Sequence, residues 1–258
     1  MPSADSIPAA TTAGAAAALE VIAMHGWAGT ASNWLPWQQA LPEGWSWQSG
    51  ERGYGRSAPM MPRWRCDGRR VLIGHSLGPH LLPADLLAGA DAVVLLASFG
   101  RFVPPGPEGR RLRNAMAIMA AQLEPQAGDE EAQAAARAQA LLRRFLAEAA
   151  APAAASLLPP GPADQPIEAT GRRRLRDDLD LLLRCSGLPE GFPQRAAVLI
   201  VEAADDRIVL QASRSLLRRQ LPQASRIELP GAGHCLLGSA VIPAVLDWLQ
   251  TLPEGASP

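Results

Sequence analysis

The chain has 258 residues, 48% of them hydrophobic and 19% charged, with a formal net charge of −1. That length suits one large α/β domain or a core carrying an inserted subdomain, and the balanced charge gives no electrostatic reason to expect nucleic acid as a partner. All 24 basic residues are Arg, which excludes Schiff-base chemistry, pyridoxal-phosphate attachment and any Lys-dependent phosphate loop. With no Lys, the single Tyr54 cannot form a Tyr–Lys pair either.

Residues 1–18 are rich in Ala, Ser, Thr and Pro and carry no Arg ahead of the Ala run. They read as a disordered leader rather than a signal peptide, because a charged n-region and a compact apolar core are both missing. No apolar run reaches the length of about eighteen residues that a membrane span needs. Cys66, Cys185 and Cys235 are far apart, lack C-x-x-C spacing, and read as free thiols in a reducing cytoplasm.

Short apolar runs bounded by turn residues predict buried parallel strands at 19–24, 70–73, 92–97 and 197–201. Residues 225–229 alternate and read as a fifth, half-exposed strand. Helical patterns at 210–221 and 241–252 complete an α/β alternation, which implies a mostly parallel sheet flanked by helices. The rhythm breaks between 104 and 190. There, 112–123, 130–150 and a third segment through Leu175, Leu179, Leu182 and Leu183 carry helical periodicity without any strand-like run. These positions are expected to form a helical cap inserted into a core made of 19–103 and 191–258.

Gly74-His75-Ser76-Leu77-Gly78 directly follows an apolar strand. G-x-S-x-G in a strand–turn–helix context is a nucleophile elbow, in which small residues permit the close backbone approach that lifts the Ser hydroxyl above the sheet. A Ser hydroxyl needs a base, and the base an orienting carboxylate. Two His residues follow the elbow turn. His80 lies on the segment leaving it and reads as a helix-face residue, whereas His234, in Gly231-Ala232-Gly233-His234 after the last strand, is the expected base. The acid should follow the strand at 197–201, where Asp205 and Asp206 stand side by side. Asp206 is favoured because Asp206-Arg207-Ile208-Val209 sets a β-branched anchor three residues on, and Asp205 is held in reserve. The backbone N–H groups of Leu77 and Trp27 are the expected oxyanion donors, with Gly26 allowing close approach and the Trp27 ring walling the acyl pocket. His25 reads as structural. No metal or cofactor is required by this chemistry.

Taken together, His25-Gly26-Trp27, Arg52-Gly53-Tyr54-Gly55-Arg56-Ser57, the elbow, Asp206-Arg207-Ile208-Val209 and Gly233-His234 resemble the α/β-hydrolase superfamily in order and spacing. The closest resemblance is to the pimeloyl-[acyl-carrier protein] methyl ester esterases of biotin synthesis. It rests on the H-G-W and S-L-G elements, on Leu96-Ala97-Ser98-Phe99, on Arg144-Phe145-Leu146-Ala147 and on Asp178-Leu179-Asp180-Leu181-Leu182. Pro79 after the elbow and Ala203 before the acid depart from the family's usual Gly.

That resemblance implies hydrolysis of a methyl ester on an acyl chain presented by an acidic acyl carrier protein. Arg would be the only available grip, and Arg144 beside Phe145 is the first candidate for substrate contact. The Arg-rich stretch at 172–184 is offset by Asp177, Asp178 and Asp180 and reads as a solvated helix face. Two alternatives stand beside this reading. One is a general carboxylesterase, thioesterase or lactonase; the other is a non-catalytic ligand-binding protein on the same fold.

Overall fold

The computed structural model describes residues 19–65, 68–238 and 240–253. The expected leader at 1–18 and Cys66 lie outside the described residues. Six strands form one wholly parallel sheet: β1 (Leu19–Met24), β2 (Trp45–Ser49), β3 (Arg69–His75), β4 (Ala92–Leu96), β5 (Ala197–Ala203) and β6 (Ser225–Leu229), in the spatial order β2-β1-β3-β4-β5-β6. Alternation along each strand divides the core in two. Val21, Val71, Ile73, Val94 and Val201 face a layer containing Trp34, Trp37, Val245 and Leu249. Their neighbours Ile22, Leu72, Val93 and Ile200 face the opposite layer with Leu86, Leu87 and Leu217. A strand apolar on both faces has to be covered on both sides, which is why these runs are continuous rather than alternating.

The covering helices are α1 (Leu35–Gln39), α2 (Ala84–Ala88), α6 (Gln211–Gln220) and α7 (Val241–Thr251). Two features differ from the sequence expectation. Strand β2, W-S-W-Q-S, is an edge strand with a part-exposed start, so it has no apolar run to announce it. The segment leaving the elbow is not a continuous helix but a single 3-10 turn, Gly78–Leu81, followed by a break and then α2. Pro83, without an N–H, stands at the break and starts the new helix.

Between β4 and β5 the chain forms three helices, α3 (Pro107–Leu123), α4 (Glu131–Ala150) and α5 (Ala169–Arg184), which pack on one another. Their inner faces join Tyr54, Leu77, Phe99 and Phe102 in a third apolar cluster through Met116, Leu142, Leu175 and Leu179. The Arg-rich α5 is not the solvated face its composition suggests. Arg172 is 3% exposed and Asp178 2% exposed. Arg172 makes a two-pronged pair with Glu131 of α4 and also donates to the Ile167 carbonyl. Asp178 reaches across to the core, accepting from Arg52 at 2.7 and 2.8 Å and from the Tyr54 hydroxyl at 2.6 Å. These bonds run between elements rather than along the helix, because Leu175, Leu179 and Leu182 turn the same face inward.

Burial and the Asp178 charge together push the Tyr54 hydroxyl well above its ordinary pKa, so it stays a donor. Removing one partner of a buried, hydrogen-bonded pair strands the other. Asp178→Ala should therefore destabilise the fold by about 2 kcal/mol, below the roughly 3–5 kcal/mol of a fully buried pair because Arg52 is one-third exposed. Urea unfolding monitored by Trp fluorescence checks this, and an unchanged midpoint would contradict it.

Candidate active site

Strand β1 lies between β2 and β3, so the chain leaving β1 and the chain leaving β3 diverge to opposite sides of the sheet. The crevice beyond the carboxyl ends of strands at such a reversal is where open α/β sheets hold ligands. Ser76 sits there, immediately after β3, with φ 54°, a left-handed conformation that costs a non-glycine residue about 1–3 kcal/mol. Its backbone is fixed on both sides: Ser76 N–H donates to the Leu96 carbonyl at 2.9 Å, and Ser98 Oγ donates to the Ser76 carbonyl at 2.7 Å. The turn is tight enough that a Cβ on Gly78 would lie 2.2 Å from the Met24 carbonyl oxygen, and one on Gly26 would lie 2.8 Å from Ser76 Cβ. The loop after β1 thus rests directly against the Ser76 side chain.

The turn after β5 carries the two neighbouring acids. Asp205 is exposed. Asp206 turns inward, where its Oδ1 accepts the N–H groups of Ile208 (2.8 Å) and Val209 (3.0 Å) and its Oδ2 accepts from His234 Nδ1 at 3.0 Å. Burial opposes the Asp206 charge, but the His234 ring and the two amides outweigh it and hold the carboxyl below its usual range. His234 is buried and its own backbone is tied to the elbow, since its carbonyl accepts from His75 Nε2 at 2.9 Å. The structure thus brings Ser76, Asp206 and His234 to one end of the sheet and leaves Asp205 outside. His80 donates to the Phe99 carbonyl and stacks on the Phe99 ring, away from this cluster.

On the β1 side, His25 donates from Nδ1 to the Gly26 carbonyl and accepts the Arg52 N–H at Nε2, which braces the loop from below. Trp27 extends its indole N–H 2.8 Å to the Leu175 carbonyl of α5 and packs edge-on against Phe145 of α4. Among the described residues, no acceptor is seen for the backbone N–H of Trp27 or Leu77.

A cavity of about 470 Å³ opens above these loops. Its floor includes Gly26, Trp27, His75 and His234; its roof comes from α4 and the segment 155–164. Ser76, 6% exposed, is not itself a lining residue; it lies directly behind two that are, His75 before it in the chain and Gly26 packed on its side chain. Arg144, the expected substrate contact, instead bonds Gln122 of α3 on the exposed side of α4, and does not line the cavity. Arg143 does, with its Nε donating to the Ala163 carbonyl. One residue along a helix is a rotation of about 100°, enough to exchange a neighbouring helix for the cavity. The sequence assigns no site role to His75, to Arg143 of the Arg143-Arg144 pair, or to the 155–164 segment. Only the position of His75 within the elbow motif marked it there.

Residues 53–245 match the model of the alpha/beta hydrolase family. The chain belongs to that family. Among solved structures, an enol-lactonase from Burkholderia xenovorans LB400 superposes with a TM-score of 0.60 at 17% identity, covering 90% of this chain and 92% of its own. The RedJ thioesterase of the prodiginine pathway in Streptomyces coelicolor gives 0.54 at 19%, covering 95% and 96%. The naproxen esterase of Bacillus subtilis gives 0.52 at 14%, covering 90% and 84%. No curated protein matches the sequence.

One charge in this α/β-hydrolase supports the loop after β1 without facing the cavity. Glu51 accepts from the Thr30 hydroxyl, the Ala31 N–H and the Gly53 N–H. Burial works against its ionisation, but His25 beside it and these amides prevail, lowering it from an ordinary 4.5 to about 2. A carboxyl held lower in the folded state binds fewer protons there than in the unfolded chain. Its contribution to stability is therefore complete above pH 4.5 and lost as pH falls toward 2. Glu51→Gln should accordingly flatten the dependence of folding free energy on pH between about 5 and 2, measured by urea titration at stepped pH. An unchanged slope would show that Glu51 is not so held.

Proposed function

We propose that this hydrolase is a serine carboxylesterase working through Ser76, His234 and Asp206. The observation that carries the reading is the Asp206–His234 hydrogen bond of 3.0 Å, on a loop tied to the residue before Ser76. With its Nδ1–H committed to Asp206, the imidazole presents its other nitrogen as a base. Ser76 Oγ, losing its proton to that nitrogen, attacks the ester carbonyl. The backbone N–H groups of Trp27 and Leu77 stabilise the developing oxyanion, and His234 returns the proton to the leaving alcohol. Water, deprotonated by the same imidazole, then cleaves the acyl-enzyme. Asp206 holds the tautomer and steadies the imidazolium; it stays ionised throughout, as its depressed pKa favours.

The finer reading is that the substrate is a pimeloyl-[acyl-carrier protein] methyl ester. An apolar cavity walled by Trp27, Phe145 and Leu146 suits a chain of methylenes. Arg110, Arg111 and Arg113 are exposed along α3 and offer guanidinium forks to an acidic carrier. The competing reading, a general carboxylesterase, thioesterase or lactonase, draws on the enol-lactonase and thioesterase likenesses. Restored growth of a biotin auxotroph lacking the methyl ester esterase favours the first; failure despite good expression favours the second.

For the triad itself, Ser76→Ala should abolish turnover of p-nitrophenyl acyl esters. Asp206→Asn should lower kcat on the order of 10³–10⁴-fold, while Asp205→Asn leaves it within about two-fold. Substantial residual turnover in Ser76→Ala, beyond the small rate that an oxyanion hole and binding alone sustain, would remove the assignment.

A further inference from the structure

The middle of the G-x-S-x-G motif is Ser76, and its first variable position, His75, has no part in the reaction written above. Its side chain lies in the cavity floor with Nε2 2.9 Å from the His234 carbonyl oxygen, and its ring centroid is 4.9 Å from that of His234. A carbonyl only accepts, so His75 Nε2 carries the proton in this bond. Burial, reinforced by the neighbouring His234, pushes the His75 pKa down to about 3, which favours the neutral ring.

The loop it grips needs gripping. Residues 231–238 form no helix or strand, and Gly231 and Leu236 adopt positive φ. Beyond the turn that enters it from β6, where Ala232 N–H donates to the Leu229 carbonyl, three groups of hydrogen bonds among the described residues reach this loop from other elements. Asp205 N–H and the Asp206 carboxylate hold it from the β5 turn; the Ala149 carbonyl of α4 accepts Cys235 N–H; and His75 holds it from β3. The first fixes the rotation of the His234 ring and the second ties the loop to the helices above. Among the described residues, the His75 bond is the one hydrogen bond that joins the loop to the strand leading into the nucleophile.

We propose that His75 is a positioning residue for His234, setting the spacing between base and nucleophile through its Nε2–H bond to the His234 carbonyl. It touches no substrate atom that reacts. This assignment rests on the serine-esterase reading above, yet it fails separately from it. If Ser76→Ala is inactive, the triad stands whatever becomes of His75.

His75→Leu removes the donor while retaining apolar bulk. His75→Gln places an amide N–H about where the imidazole Nε2 stands. Both are assayed on p-nitrophenyl esters, and Ser76 labelling by a fluorophosphonate is timed in parallel. The expected result for His75→Leu is a kcat lower by about 10- to 100-fold, KM within about two-fold, and labelling slowed in proportion, since a displacement of about 1 Å suffices for a loss of that size. His75→Gln should recover kcat to within about five-fold of the parent. If His75→Leu does not fold, as judged by its thermal melt, His75→Asn takes its place, being polar but too short to reach the carbonyl. Unchanged kcat in the donor-lacking variant overturns the proposal. So does a His75→Gln enzyme that melts like the parent but is as slow as the donor-lacking variant, because packing and not the hydrogen bond would then be what matters.

Discussion

Ser76 occupies a backbone conformation that a side-chain-bearing residue resists, and the contacts that hold it there organise both layers of the protein. Its amide is anchored on the end of β4 and its carbonyl on Ser98, so strands β3 and β4 must run in register to their last residues. The space around it is created by two residues with no side chain: Gly78 against the β1 carbonyl and Gly26 against Ser76 itself. A strained turn persists only where its surroundings over-determine it. Here that means four central strands buried on both faces, so strain at one residue is offset by a core of many.

From that turn the site is assembled by backbone carbonyls more than by side chains. Trp27 is secured to Leu175, Cys235 to Ala149, and His75 to His234, all through main-chain oxygens. Such anchors survive substitution of the residue that supplies them. Charged anchors are used farther out, where Asp178 joins Arg52 and Tyr54, and Glu51 gathers the loop amides. Arg suits these roles in a chain without Lys, since its planar fork can meet both oxygens of a carboxylate while remaining charged.

The parallel sheet was legible in the sequence wherever strands were buried on both faces, because four apolar runs leave little else for 19–24, 70–73, 92–97 and 197–201 to be. Strand β2 was not, since an edge strand of two Trp and three polar residues carries no such run. At the elbow, the Gly spacing signalled a close approach that the structure shows as contacts under 3 Å for an added Cβ. The choice between Asp205 and Asp206 depends on a turn whose geometry adjacent identical residues cannot encode. The inward orientation follows from two amide bonds to Asp206 Oδ1. For Arg143 and Arg144 the obstacle was helical phase, because a pattern rich in Ala on every face does not reveal which side meets the cavity. The hidden charges of α5 escaped notice for a related reason: their partners, Glu131, Arg52 and Tyr54, lie dozens of positions away in sequence.

The helices above the sheet divide their labour in a way that bears on how such an enzyme diversifies. Helix α5 is fastened to the core by Asp178 and by the Leu175 carbonyl, and none of its residues lines the cavity. Helix α4 and the segment 155–164 form the roof and contribute Arg143, Phe145 and Leu146 to it. Anchorage and cavity lining are thereby written on separate stretches of chain. Lineages can rewrite the roof, exchanging Ala for bulk or charge, while the fastening beside it keeps the architecture intact.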